Sequence, residues 1–270
     1  MDDEFAMPKG ELMRGKRGLV MGVANHNSIA WGIASQIAAQ GGDVGLAYME
    51  VNEKRVRPLG ESISASLYTT FDASSDESME ASFKVVEDRW GSLDFLVHAI
   101  AFAGRDHMKG SFVENTTRAG FAQALDISAY SFVDAARRAS RLMGPGGSMI
   151  ALTYLGAERA IPNYNVMGVA KAALEAAMRY VARDLGPAGI RVNAISAGAM
   201  RTLSLAGISG GRGMLAEGRK LSALKEDTSM EGVAGCALWL LSDLGRSTTG
   251  EVVHVDAGFH MMGLAADEEA

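Results

Sequence analysis

The sequence predicts an α/β fold, a doubly wound parallel sheet of about seven strands with helices on both faces. Three observations lead there. Short apolar runs recur along the chain, segments with helical periodicity separate them, and a glycine-containing turn joins the first run to the first helix. A chain of 270 residues can bury one large core. No internal repeat, low-complexity stretch or Pro/Ser linker interrupts the alternation, so residues 1–270 read as one domain.

The elements follow in order. Gly18–Met21 reads as a buried strand and Ile29–Ala39 as a helix that ends at Gly41-Gly42. Val44–Tyr48 is a second strand, followed by a charged helix over Glu53–Ser64. Leu67–Phe71 is the third strand; the helix after it, Ser75–Trp90, stops at Gly91. Leu93–Val97 is the fourth strand. A long helix is expected from Thr117 to Met143, broken by Gly144-Pro145-Gly146-Gly147. Met149–Leu152, a helix over Asn163–Leu185, and Ile190–Ile195 come next. A glycine-rich excursion, the helix Ser229–Leu241 and a last strand at Glu251–Val255 complete the pattern.

The bulk properties exclude several function classes. A net charge of −6 argues against a nucleic-acid surface. The one cysteine, Cys236, excludes an internal disulfide and suits a reducing cytoplasm. The N-terminal Met1–Phe5 segment lacks the basic and apolar regions of a secretory signal, and no apolar run reaches the ~18 residues of a membrane span. The acidic 266–270 end reads as a frayed tail. The five histidines are scattered without metal-ligand spacing, so no metal is expected.

The turn after the first strand, Gly22-Val-Ala-Asn-His-Asn-Ser28-Ile-Ala30, suits a dinucleotide. In such Rossmann-type folds phosphate sits at a helix N-terminus beyond the carboxyl ends of the strands. Gly22 permits close backbone approach, and Ser28 is placed to cap the helix and donate to a phosphate. The spacing departs from G-x-G-x-x-G, and an ordinary strand-to-helix turn with a serine cap is the competing reading. Glu50 after the second strand, with no basic residue before Lys54, favours NADH over NADPH. Asp72 closes the third strand, where it suits either an adenine amine or a helix cap.

The chemistry gathers between Tyr154 and Lys171. Tyr164 and Lys171 are seven residues apart, roughly two helical turns, which returns both to nearly one face. A phenol can donate to an oxygen that becomes an enolate, while an ammonium favours the phenol's ionised form and can grip a sugar hydroxyl. Tyr154 lies ten residues upstream, placed to meet Tyr164 across a pocket. A plain surface helix is the alternative for a Tyr-x6-Lys pair taken alone.

Several blocks together resemble the bacterial NADH-dependent enoyl-acyl-carrier-protein reductases, a divergent branch of the short-chain dehydrogenase/reductase family. They are Gly22…Ser28-Ile-Ala, Asp126–Phe132, Tyr154–Gly168, Arg191–Gly198, Arg201-Thr-Leu203 and Gly250–Asp256, spread over about Gly15 to Gly258. The resemblance implies reduction of a trans-2-enoyl thioester, the last step of each fatty-acid elongation cycle. It implies Tyr164 on the thioester carbonyl, Lys171 on the nicotinamide ribose, and Tyr154 as proton donor or orienting group. Gly22, Ser28, Ile29, Asp72, Ala73, Ile100, Met200 and Thr202 match cofactor-contacting positions, and Ala103 a substrate-contacting one. It further implies an acyl carrier protein as partner and a homotetramer.

Three residues depart from the family pattern: Ala101 for a usual glycine, Ala199 for a common proline, and Met49 for a polar residue. Over 199–219, apolar residues mixed with Gly207, Gly210, Gly211 and Gly213 are expected to form a mobile cover for an acyl chain, against the alternative of a surface helix pair. Arg201, Arg212, Arg219, Lys220 and Lys225 there suit an acidic carrier, or a solvated charged face. Two other readings remain. A short-chain ketone or alcohol oxidoreductase normally has a serine where this chain has Ala151, and a catalytically silent nucleotide-binding regulator would not need the two tyrosines and the lysine.

Overall fold

The computed structural model describes residues 7–208 and 210–263. The N-terminal Met1–Phe5 segment and the acidic 266–270 end lie outside the described residues, as does the side chain of Arg212. Seven parallel strands make one sheet in the order β3-β2-β1-β4-β5-β6-β7. They are β1 (Arg17–Met21), β2 (Asp43–Tyr48), β3 (Leu67–Thr70), β4 (Leu93–His98), β5 (Met143–Thr153), β6 (Arg191–Ala197) and β7 (Val252–Val255). The order reverses between β1 and β4, which is where a doubly wound sheet opens a crevice at its carboxyl edge.

The helices are α1 (Ile29–Ala39), α2 (Glu53–Ser62), α3 (Asp76–Trp90), the short α4 (Phe112–Asn115), α5 (Arg118–Leu125), α6 (Ser131–Ser140) and α7 (Asn165–Leu185). After β6 come α8 (Leu203–Ala206), α9 (Gly211–Leu221) and α10 (Met230–Leu241). Strand periodicity divides the core. Val20, Ile150, Leu152 and Ile195 face α1 and α10, whereas their neighbours Leu19, Met21, Met149, Ala151 and Ala194 face the opposite layer of α3, α6 and α7. Helix signals act as expected at α3: the Ser75 hydroxyl accepts from the Ser78 amide, and Gly91 takes φ 68° to end the helix.

Two expectations need correction. The helix expected over Thr117–Met143 is interrupted: five residues, Asp126–Tyr130, wind as a π-helix between α5 and α6, and α6 ends at Ser140. Tertiary hydrogen bonds explain the wider turn, because the Ser128 hydroxyl accepts from the Phe102 amide at 3.0 Å and donates to the Phe102 carbonyl at 3.2 Å. Secondly, β5 begins at Met143, because Met143 pairs with Leu93 ahead of the glycine-rich stretch. The register then shifts, so that Phe95 pairs with Ser148 and the intervening residues bulge.

Candidate active site

Each strand of the central group delivers one wall of a cleft at the sheet's carboxyl edge. From the β1–α1 turn come Gly22, Ala24, Ser28 and Ile29; from the end of β4, Ala99, Ile100 and Ala101. From the end of β5 come Leu152, Thr153 and the following Tyr154, from the residue before α7 Tyr164, from α7 Lys171, and from beyond β6 Ala199, Met200 and Thr202. Asp72 and Ala73 follow β3 farther along the same edge and do not line this cleft. Ala103 is buried behind it, in the cluster that contains Tyr164, Met108 and Met167.

The β1–α1 turn suits a dinucleotide. Gly22 adopts φ +99°, and a β-carbon there would lie 2.2 Å from the Ala99 carbonyl oxygen, so only glycine keeps β1 and β4 this close. Ser28 is the residue before α1, but its hydroxyl does not cap the helix as expected. Its Oγ accepts instead from the amides of Ala24 at 3.1 Å and Asn25 at 3.0 Å, closing the turn on itself. The first amides of α1 therefore stay available to an anion. Asp72 is tied down similarly: its carboxylate accepts from the amide of Ser74 at 2.9 Å and its hydroxyl at 2.6 Å, which holds its pKa below the usual value. The cap of α3 is Ser75, so the capping role considered for Asp72 is not the one it fills.

Tyr154 leaves the end of β5, and Tyr164 immediately precedes α7, whose first residue is Asn165. Asn163 and Asn165 flank Tyr164 and both adopt positive φ, 64° and 41°, a region that asparagine tolerates better than most residues. Both side chains reach the same loop. The Asn163 carbonyl oxygen accepts from the Gly110 amide at 3.0 Å, and the Asn165 amide donates to the Gly110 carbonyl at 3.3 Å. Gly156 lies against the Tyr164 ring, where a β-carbon would come within 2.3 Å of its Cδ1. Tyr164 is thus held from both sides of its backbone and on its ring face.

Burial governs the electrostatics. Desolvation raises the Tyr154 pKa to about 12, with Asp256 adding to the shift. Tyr164 is pushed up further, by desolvation first and then by Tyr154 and Glu175. The expected lowering of Tyr164 by the lysine is therefore not what governs it: burial wins. Lys171 is brought down to about 8 by desolvation, against an opposing contribution from Glu175. Its ammonium donates to the Leu152 carbonyl at 2.7 Å and the Ile100 carbonyl at 3.4 Å. Of three donors, one remains for a ligand hydroxyl.

Composition and spacing did not single out the groups that support this site. His98 ends β4 fully buried, and desolvation lowers its pKa to about 3, with Lys171 acting in the same direction. The Ser131 hydroxyl donates to the Ile127 carbonyl at 2.6 Å, so the His98 Nε2–H donates to Ser131 at 2.8 Å. Ser128 and Ser131, both anchored through the π-helical turn, thereby pin the exit of β4. Their block, Asp126–Phe132, stood out by resemblance only, and nothing in its local pattern indicated a wider turn.

Over the cleft, Leu205, Ile208 and Met214 from the α8–α9 region add apolar lining. Thr202 caps α8, accepting from the Leu205 amide at 3.2 Å. Arg219 is paired to Asp227, and Lys225 donates to the Lys220 carbonyl, so this cationic group is partly engaged internally. Among the described residues no His/Cys/Asp/Glu group could hold a metal ion.

Comparison with known proteins agrees with this architecture. A family profile described as Enoyl-(Acyl carrier protein) reductase matches residues 22–260. The chain is 49% identical over 256 residues to enoyl-[acyl-carrier-protein] reductase [NADH] 1 of Rhizobium meliloti, covering 94% of each chain. It superposes on the crystal structure of the enoyl-(acyl-carrier-protein) reductase of Anaplasma phagocytophilum in complex with NAD with a TM-score of 0.92 and 48% identity, over 97% of this chain and 98% of that one. The Bacillus cereus enoyl-acyl carrier protein reductase, solved with NADP+ and indole naphthyridinone, gives a TM-score of 0.91 at 46% identity, over 94% and 100%. With this sequence agreement over nearly its whole length and the same overall fold, the chain belongs to the enoyl-(acyl carrier protein) reductase family.

Proposed function

We propose that Tyr154, Tyr164 and Lys171 carry the reaction of this enoyl-[acyl-carrier-protein] reductase, which reduces the trans-2 double bond of an enoyl thioester with NADH in the last step of fatty-acid elongation. The observation that carries the assignment is the convergence of a buried phenol, a partly buried phenol and a buried ammonium on one cleft at the sheet's switch point. Bound there, NADH supplies the hydride that the β-carbon of the enoyl chain receives. Gly22, Ser28, Ile29, Ile100, Met200 and Thr202 would hold it along the cleft, with Asp72 and Ala73 toward the adenine end and Lys171 on a ribose hydroxyl.

Tyr164 then donates to the thioester carbonyl oxygen and stabilises the enolate that forms on the substrate. Its raised pKa makes it a persistent donor at neutral pH and a reluctant acid, so hydrogen bonding is its main work. Tyr154 sits edge-on against it and either orients the thioester or supplies the proton. Ala103 contributes from behind, as part of the packing that backs Tyr164 and the acyl end. The 199–219 region covers the chain's acyl group, and the two helices found there serve as that cover.

The substrate arrives on an acyl carrier protein, and the active form is a homotetramer. Exposed Val133 on α6, with Val169 and Tyr180 on α7, supports the second point, since such side chains gain by burial between copies. A cytoplasmic location fits these assignments, and among the described residues no helix is long and apolar enough to cross a membrane.

A single assay tests the central reading: NADH consumption with crotonyl-thioester against acetoacetyl-thioester. Turnover of the enoyl compound is expected. Turnover of the keto compound alone would instead favour the ketone oxidoreductase, although the residue thirteen positions before Tyr164 is Ala151, fully buried and without a hydroxyl. No oxidation with either substrate would favour a silent nucleotide-binding regulator.

A further inference from the structure

A second polar pair lies behind the site. Lys171 and Glu175 are one turn apart on the same face of α7, and both are buried, at 5% and 6% exposure. Each is bonded to the end of β5, and to consecutive residues of it. Lys171 donates to the Leu152 carbonyl at 2.7 Å, and the Thr153 hydroxyl donates to Glu175 Oε1 at 2.6 Å. Thr153 is itself buried, and the next residue is Tyr154. The two bonds therefore fix how β5 hands Tyr154 to the cleft, using the helix that carries Lys171.

A buried carboxylate is costly to retain for packing alone. Its surroundings give it an electrostatic use. Lys171 and Arg179 lie one turn before and after it on α7, and Glu158 acts on it from the turn after β5, His254 from β7 and Thr153 from β5. His254 in turn lies 2.9 Å from Glu158. The ammonium of Lys171 is sheltered from water, and its two bonded partners are neutral carbonyls. Glu175, one turn on along the same face of α7, acts on it through space, without a direct ion pair among the described residues, and opposes its loss of charge.

We propose that Glu175 is a positioning residue for the reductase reaction: through Thr153 it sets the presentation of Tyr154, and its carboxylate is the counter-charge for Lys171. This rests on the assignment of Tyr154 and Lys171 to the site. It separates two contributions that different substitutions remove.

Glu175→Gln keeps an oxygen that can accept from Thr153 but removes the charge. Measured by NADH fluorescence across pH, the alkaline weakening of NADH binding is expected to begin about one pH unit lower than in the wild type. Thr153→Val keeps the charge and removes the donor, so kcat is expected to fall about ten- to hundredfold, with the alkaline limb of NADH binding unmoved. Thr153→Ser should restore kcat. Should Glu175→Gln fail to fold, Glu175→Asp replaces it as a test of positioning, keeping the charge while withdrawing the carboxylate from Thr153; the expected kcat loss then parallels Thr153→Val. An unmoved alkaline limb in Glu175→Gln would overturn the counter-charge role. Wild-type kcat in Thr153→Val, or in a folded Glu175→Asp, would overturn the positioning role. Absence of enoyl reduction in the wild type would instead sink the underlying reading, while the pH dependence of NADH binding would still report on Glu175.

Discussion

The ring of Tyr154 meets the ring of Tyr164 edge-on, with centroids 5.0 Å apart and planes inclined at 72°. One phenol comes from the end of a strand and the other from the residue before a helix, so their meeting depends on how β5 and α7 pack. Edge-to-face contact is a favourable arrangement of the two ring quadrupoles and limits the freedom of both rings. A phenol is protonated at neutral pH in any case, and burial raises both pKa values further, so each stays a donor toward the cleft.

Removing the Tyr164 hydroxyl should therefore be felt in turnover. Tyr164→Phe is expected to lower kcat by ~10²–10³ with NADH affinity nearly unchanged, because the lost donor acts on the enolate. Steady-state rates combined with NADH titration check this. Equal losses in both would contradict the division of labour.

Gly156→Ala offers a test that leaves every hydroxyl in place. Its added methyl would press on the Tyr164 ring at 2.3 Å from Cδ1, and the ring must move. A kcat loss approaching ~10² is expected, since displacement of a donor by about 1 Å costs that much. Circular dichroism should show an unaltered fold.

Lys171→Met removes an ammonium that has one donor left for a ribose hydroxyl. Charged hydrogen bonds contribute ~1.5–3 kcal/mol, so the NADH dissociation constant should rise roughly ten- to hundredfold. A fluorescence titration measures it directly.

At Gly22, substitution by alanine faces both a φ of +99° and the Ala99 carbonyl 2.2 Å from the new β-carbon. We expect a stability loss of about 1–3 kcal/mol from backbone strain, with weakened NADH binding. Urea unfolding with and without NADH resolves the two effects.

His98 sets an acid limit on stability. In the unfolded chain a histidine titrates near its ordinary 6.5, whereas the folded protein holds His98 at about 3. Between those values the unfolded state binds the extra proton, so stability falls as pH falls through that window. Once pH is well below 6.5, the slope from this group approaches about 1.4 kcal/mol per pH unit. Thermal melts of wild type and His98→Asn from pH 7 to 4 should show a flatter dependence in the variant.

Much of this protein was legible from local pattern. Runs such as Leu93–Val97 followed by helical periodicity give parallel strands with helices between them, because a buried strand and an amphipathic helix each announce their period. Gly91 ends α3, and Gly22 permits the contact between β1 and β4, where the backbone admits no β-carbon. Tyr164 and Lys171 do reach the same cleft, but Tyr164 precedes α7 and Asn165 takes positive φ, so helix pitch alone does not account for their meeting.

What only the tertiary structure decided is where polar groups spend their hydrogen bonds and how much water they keep. Ser28 turned from the helix cap to the Ala24–Asn25 amides. Ser128 and Phe102, 26 positions apart, bond across a helix that winds wider there. Lys171 found backbone carbonyls, Glu175 found Thr153, and burial overrode the lysine's pull on Tyr164. Periodicity records which face of an element is apolar. Desolvation and long-range bonds arise only once distant segments share the same volume.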